Sequence, residues 1–289
     1  MQKNHKMNED KKDLEGYRKK TPASLLPNAL TILGVCLGLS SIKFALDLNY
    51  EMAVITVGLA AILDTLDGRV ARLVHATSKV GKELDSLTDV ISFGVAPGFI
   101  MYFWTVNEIG KIGWALVLVY TVCCALRLAR FNLTTIEESK PWKINFFEGV
   151  PSPAAAGLVL LPLIASLSDV DEILNINQIL SILNLDSLFQ MQNNKIIGSI
   201  FIIIASILMV SKVPTYSLKR ITIPRSLGVF LLLGIGVYIS LLILFTFELL
   251  LLTGIVYLIL IPVSFIHYKH LNEKFINDNS SEKEIEDIL

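Results

Sequence analysis

Four aspartates, Asp64, Asp67, Asp85 and Asp89, stand at the inner ends of strongly apolar stretches. An ionised carboxylate at that depth is costly, and such residues are usually functional. Their spacing is helical. Asp64 and Asp67 are three apart, Asp85 and Asp89 four apart, so each pair projects to one helix face. A short connection between the two helices makes them antiparallel neighbours, and the two faces can converge. Four converging carboxylates repel one another strongly in a low dielectric, so positive charge must sit among them. All-oxygen ligation suits Mg²⁺, Mn²⁺ or Ca²⁺. No Cys or His accompanies the cluster apart from His75, which reads as an exposed loop residue, so zinc is not expected. Four carboxylates can hold two ions about 3.5–4 Å apart, an arrangement used for phosphoryl chemistry.

The segment between the pairs suits a phosphate ligand and is expected to be a loop. Gly68 follows Asp67 directly and Gly81 precedes Asp85 by four, and a glycine lets a ligand approach the backbone. Arg69, Arg72, Lys79 and Lys82 surround it with positive charge, and arginine can clamp phosphate through two hydrogen bonds. Metal, arginine and bare backbone together read as a diphosphate site.

The elements that must carry this site are membrane helices. Of 289 residues 53% are hydrophobic and only 18% charged, against about 25% charged in a soluble domain. The apolar residues form long runs, and about 18 or more can cross a bilayer core. Eight helices are expected, near 28–46, 50–66, 84–106, 112–131, 150–168, 194–212, 226–246 and 249–267. In lipid they must be helices, because exposed backbone polar groups go unsatisfied there. The fold class is an all-α polytopic membrane protein. With the N-terminus inside, 22 of the 25 lysines and arginines fall in inside segments. Only Lys111 and Lys195 fall outside, while Lys43 snorkels from the outer end of the first helix. Both termini and the aspartates are then cytoplasmic. The expected organisation is a polar segment over 1–27, a catalytic membrane core over 28–225, two additional helices over 226–268 and a tail over 269–289. Residues Lys3 to Lys20 either lie on the anionic inner leaflet or form a solvated tail. They lack the pattern of a cleaved signal peptide, so the first helix is expected to remain as an anchor. Cys36, Cys123 and Cys124 show no metal spacing and read as small core residues. The acidic outside loop Ser168 to Asn193 carries no catalytic pattern, and no nucleic-acid partner is expected.

The pattern Asp64-x2-Asp67-Gly68-x2-Ala71-Arg72-x8-Gly81-x3-Asp85-x3-Asp89 resembles the CDP-alcohol phosphatidyltransferase motif at every defined position. The resemblance implies a six-helix core and two divalent ions, Mg or Mn and alternatively Ca, held by the four aspartates. The ions grip the diphosphate of a CDP-lipid, and Asp89 is the base that deprotonates an acceptor hydroxyl. It places Gly68, Ala71, Arg72, Gly81, Lys82, Asn28 and Thr31 at the nucleotide and diphosphate. Asn28 and Thr31 read equally well as a helix cap and a backbone-bonded threonine. A homodimer in the cell (inner) membrane, among membrane lipids, is also implied.

Three flanking segments resemble the serine-using branch of the family: Asp85-Ser86-Leu87-Thr88-Asp89 running into Ser92-Phe93-Gly94-Val95-Ala96-Pro97, Arg127-Leu128-Ala129-Arg130-Phe131-Asn132, and Phe147-Glu148-Gly149-Val150-Pro151-Ser152-Pro153-Ala154-Ala155. Val213 to Lys219 is similar to it as well. This resemblance implies CDP-diacylglycerol and L-serine as substrates, giving phosphatidylserine and CMP. Arg127 or Arg130 could pair with the serine carboxylate and the other with a lipid phosphate. Glu148 or a backbone carbonyl could take the ammonium, and Asn132 and Ser92 border the same region. Ser92 could instead bond within the helix bundle, while Gly94, Pro97 and Gly98 shape the helix. Three other readings stand beside this one: a different acceptor (glycerol 3-phosphate, inositol phosphate or a second lipid), a divalent-cation transporter, and a non-catalytic membrane scaffold, which leaves four costly carboxylates without a purpose. A transporter accounts for the carboxylates but not for Gly68, Arg72 and Gly81 at fixed spacing, nor for a cluster at the inner edge rather than the midplane.

Overall fold

The computed structural model describes residues 26–74, 78–133, 146–168, 194–216 and 228–286, without the side chains of Lys79 and of residues after 273. Expectations for the N-terminal segment, His75, the outside loop beyond Ser168 and Ser217 to Lys219 lie outside the described residues. Each expected span corresponds to helix. In chain order these are α1 (Leu26–Leu46), α2 (Tyr50–Leu73), α3 (Lys79–Asp89) continuing through a π-helical turn (Val90–Val95) into α4 (Ala96–Trp104), and α5 (Lys111–Leu133). Then follow α6 (Ser152–Leu167), α7 (Asn194–Val210), α8 (Gly228–Leu244) and α9 (Thr246–Glu286). The stretches Leu26–Leu46, Val80–Trp104, Lys111–Leu133 and Thr246–Glu273 are long and apolar enough to cross a membrane. The protein is an all-α polytopic integral membrane protein.

The boundaries differ from expectation where they matter for the site. Helix α2 runs to Leu73 rather than 66, and α3 begins at Lys79 rather than 84. Gly68, Ala71, Arg72, Gly81 and Lys82 are therefore helical, not loop residues. The charge of this segment hid its helicity, because apolar runs marked the helices in the sequence. Ser78 starts α3 as its N-cap, its Oγ accepting from the Gly81 amide at 2.9 Å. At the other end of the chain α9 continues through the expected tail.

The helix expected over 84–106 is interrupted immediately after Asp89. A π-turn widens the helix there, a device common at functional sites. It is tied down from α5: the Tyr120 hydroxyl donates to the Phe93 carbonyl at 2.7 Å and Thr121 Oγ1 to the Gly94 carbonyl at 3.2 Å. It is tied from α1 as well, where Ser92 Oγ donates to the Gly34 carbonyl at 3.1 Å. The backbones approach closely at these places. A Cβ on Gly38 would lie 2.5 Å from Ser92 Oγ and 2.9 Å from Ser92 Cα.

Two short strands were not anticipated. β1 (Phe146–Glu148) and β2 (Pro214–Tyr216) pair antiparallel, with Phe147 opposite Thr215. Between β1 and α6, Gly149 adopts φ +78°, and a Cβ there would meet the carbonyl oxygens of Met209 and Ser211 at 2.9 Å. Only glycine suits both demands. The turn thus fixes the start of α6 against the end of α7. At the opposite ends of the helices, Lys195 pairs with Glu108 at 3.6 Å and Lys43 with Asp47.

Gly38→Ala should lower the thermal midpoint of the purified protein in detergent, by overpacking worth about 1–3 kcal/mol. Gly58→Ala, with nothing within 4 Å of the new methyl, should not. Equal midpoints for the two variants would reject the close α1–π-turn contact.

Candidate active site

Oxygens of Asp64, Asp67 and Asp85 lie within 4.8 Å of one another, so α2 and α3 converge as their spacing requires. Asp89 sits one turn deeper than Asp85, its carboxyl facing that of Asp64. Asp67 is almost wholly buried, 4% exposed, and among the described residues no lysine or arginine forms an ion pair with Asp64, Asp67 or Asp85. Hard oxygen donors at this spacing suit a divalent cation, and the residues fit one.

Helix α1 supplies the second layer. Thr31 Oγ1 donates to Asp67 Oδ2 at 2.7 Å and also lies 3.0 Å from the Pro27 carbonyl. The backbone-bonded reading of Thr31 and its place at the site are therefore both present. A cleft of about 440 Å³ opens beside the carboxylates, lined by Asn28, Thr31, Asp67, Gly68, Gly81 and Lys82 among others. A Cβ on Gly68 would meet nothing within 4 Å, so this face of α2 is open. Gly81 is closely approached, with Asn28 Oδ1 3.1 Å from where its Cβ would be. Ala71 lines the same cleft, whereas the exposed Arg72 is not among its lining residues and folds back along its own helix, Nε donating to the Gly68 carbonyl at 3.1 Å.

On the other side of Asp89, Ser152 at the start of α6 donates to Asp89 Oδ2 at 3.2 Å. Ser152 in turn accepts from Arg127 Nη1 at 2.8 Å. Arg127 is buried and Ser152 wholly so. This relay was only partly legible in the sequence: Ser152 stands in a segment that resembles the serine-using branch, but nothing in its type or spacing assigns it a role. Arg130 is placed differently. Its Nη1 and Nη2 donate to the Val210 and Ser211 carbonyls at 2.8 and 3.3 Å, capping α7. Asn132 Nδ2 donates to Ser86 Oγ at 2.9 Å, tying α5 to α3. Ser92 is fully buried against α1 and bonded there, one helical turn past the cluster.

The profile of the CDP-alcohol phosphatidyltransferase family matches residues 24–185, which hold all four aspartates and the cleft. The chain belongs to that family. Its membership accounts for the fixed Gly68, Arg72 and Gly81 that a cation transporter leaves unexplained. Among similar proteins is a CDP-diacylglycerol–serine O-phosphatidyltransferase of Mycobacterium leprae, 44% identical over 144 residues, 50% of this chain and 48% of the relative. One of the same name from Helicobacter pylori is 48% identical over 140 residues, 48% of this chain and 57% of the relative. Another from Saccharomyces cerevisiae is 44% identical over 109 residues, 35% of this chain and 37% of the relative. The chain thus matches about half the length of the curated bacterial relatives.

Thr31→Val should weaken Mn²⁺ binding by about tenfold or more, since the groups that orient a ligand matter at this level. Electron paramagnetic titration of the purified protein measures it. Unchanged affinity would remove Thr31 from the support of Asp67.

Proposed function

We propose that the protein transfers the phosphatidyl group of CDP-diacylglycerol to the hydroxyl of L-serine, giving phosphatidylserine and CMP. The observation that carries this reading is the Asp89–Ser152–Arg127 relay. It joins a carboxylate able to take a proton to a buried guanidinium able to hold an acceptor's carboxylate. The serine specificity of the similar proteins' names supports the same acceptor.

Two divalent ions, Mg²⁺ or Mn²⁺, held by Asp64, Asp67, Asp85 and Asp89, would neutralise the diphosphate and the charge that develops on departing CMP. The chain's own residues do the rest. The open face of α2 at Gly68, with Lys82 and Asn28, receives the cytidine diphosphate in the cleft. Asp89 accepts the proton of the serine hydroxyl, within reach as a general base must be. The serine oxygen forms its bond to the lipid-bearing phosphorus as the bond from that phosphorus to the CMP oxygen breaks. Ser152 holds Asp89 in place through Oδ2 and leaves Oδ1 for the hydroxyl. Arg127 draws the serine carboxylate to the same place. Arg130 and Ser92, committed to backbone carbonyls, are not assigned to the acceptor. The site faces the cytoplasm of the cell membrane, as the basic inside segments support, and the enzyme is a homodimer as its family resemblance implies.

Purified protein with CDP-diacylglycerol and Mn²⁺ should release CMP with serine and not with glycerol 3-phosphate or inositol phosphate, and chelation should abolish release. Release only with another acceptor would discard the serine reading. Asp89→Asn should lower turnover at least about a hundredfold, the usual worth of a general base, while nucleotide binding persists. Full turnover in that variant would take the base role from Asp89.

A further inference from the structure

Three of the four buried side-chain polar atoms without a hydrogen-bond partner among the described residues belong to Asp89, Arg127 and Tyr257. They are Asp89 Oδ1, Arg127 Nε and the Tyr257 hydroxyl. Arg127 lies within electrostatic reach of both Asp89 and Tyr257, and Ser152 bridges it to Asp89. The Tyr257 hydroxyl faces Thr215, whose own proton is given to the Gly149 carbonyl at 2.9 Å. No hydrogen bond closes between Tyr257 and Thr215.

Buried polar groups left unpaired are costly, and a catalytic role or a bound ligand is among the reasons a fold retains them. The polarity of these three is specific. Arg127 Nε–H and the tyrosine O–H are donors, while Asp89 Oδ1 accepts. Two donors suit the two oxygens of a carboxylate, and the acceptor suits a hydroxyl proton.

Tyr257 comes from α9, far beyond the family-matched residues 24–185. Its helix is nonetheless docked against the catalytic bundle. A Cβ on Gly254 would clash with Leu161 Cδ1, so α9 meets α6 in close contact one turn before Tyr257. Ile261, one turn after it, is buried in the common core. Further along, the Tyr216 hydroxyl meets His267 Nδ1 at 2.9 Å, and Phe146 packs edge-on against Tyr268 with ring centres 5.3 Å apart. Helix α8 has no buried residue at all. The last helix is thus held on both sides of Tyr257.

We infer that α9 completes the acceptor pocket, and that the Tyr257 hydroxyl binds the carboxylate of the amino-acid acceptor beside Arg127 Nε while the acceptor hydroxyl meets Asp89 Oδ1. The inference rests on the serine reading above and adds a specificity residue from outside the matched region. The phenol holds the carboxylate and takes no part in proton transfer, so its loss falls on acceptor binding.

The test is steady-state kinetics of the full-length protein and its Tyr257→Phe variant, with L-serine and with L-serinamide, which keeps the hydroxyl and ammonium but lacks the carboxylate. Tyr257→Phe should raise the KM for serine about tenfold or more, the worth of one hydrogen bond to a charged group. The KM for CDP-diacylglycerol and the Mn²⁺ requirement should not move, and kcat should stay within about twofold. Serinamide turnover should be poor in the parent and unaffected by the substitution. Leu260→Ala, on the exposed face of the same helix, should behave as the parent. An unchanged serine KM, an equal loss with serinamide, or a joint collapse of kcat and both KM values would reduce Tyr257 to a packing residue. Each of those results leaves the serine reading standing. Absence of CMP release with serine in the parent protein would overturn both.

Discussion

Four carboxylates held close together at the edge of a low-dielectric medium are the constraint on which this structure turns. Left alone they would drive α2 and α3 apart. The fold answers by supplying a partner to each side of the cluster. Thr31 of α1 holds Asp67 from one side. Ser152 of α6, backed by the Arg127 guanidinium of α5, holds Asp89 from the other. A buried arginine is itself expensive unless paired, so Arg127 and the aspartates each make the other tolerable. The cost is carried by the arrangement as a whole, and this ties helices distant in sequence to one centre.

Backbone irregularity follows from the same demand. Asp89 closes α3 and the π-turn opens at the next residue. The turn lets Asp85 and Asp89 address the cluster while the rest of the helix keeps its packing against α1 and α5. Its carbonyls are then taken by Tyr120 and Thr121, which keeps an altered ladder from carrying unpaired groups in the membrane. Small residues make this possible. Gly94 admits Cys124, whose Cβ and Sγ lie 3.0 Å from where its methyl would be, and Gly98 admits Val117 Cγ1 at the same distance.

Periodicity made much of this legible in the sequence. Apolar runs located the helices, and the three- and four-residue spacing located two convergent carboxylate pairs. Glycines at 68 and 81 marked where backbone would be approached, although on helices and not in a loop. Charge misled there, because a helix end that serves a phosphate site is polar and falls below the apolar signal. The π-turn was hidden because its residues suit an ordinary helix. Arg130 was hard to separate from Arg127 because both are arginines at one helix end, three apart. Only the distant end of α7 decides that one caps a helix and the other faces Asp89. The strands were invisible because each is three residues long and its partner lies some seventy residues away.

Chain order and site geometry divide the molecule in the same way. The cleft beside Gly68 and Gly81 is built from α1, α2 and α3, so every residue that faces a diphosphate on the proposed function is local in sequence and forms a compact motif. The region around Arg127 is built from α5, the start of α6, β2 and α9, spread over about 130 residues. Its parts are joined by contacts that leave no spacing pattern: Gly149 against the end of α7, Thr215 on the Gly149 carbonyl, Tyr216 on His267. A motif can therefore announce the donor half of such a site and remain silent on the acceptor. The acceptor half has to be read from what the fold brings together, and the inferred pocket draws on a helix outside the segment by which the family is recognised.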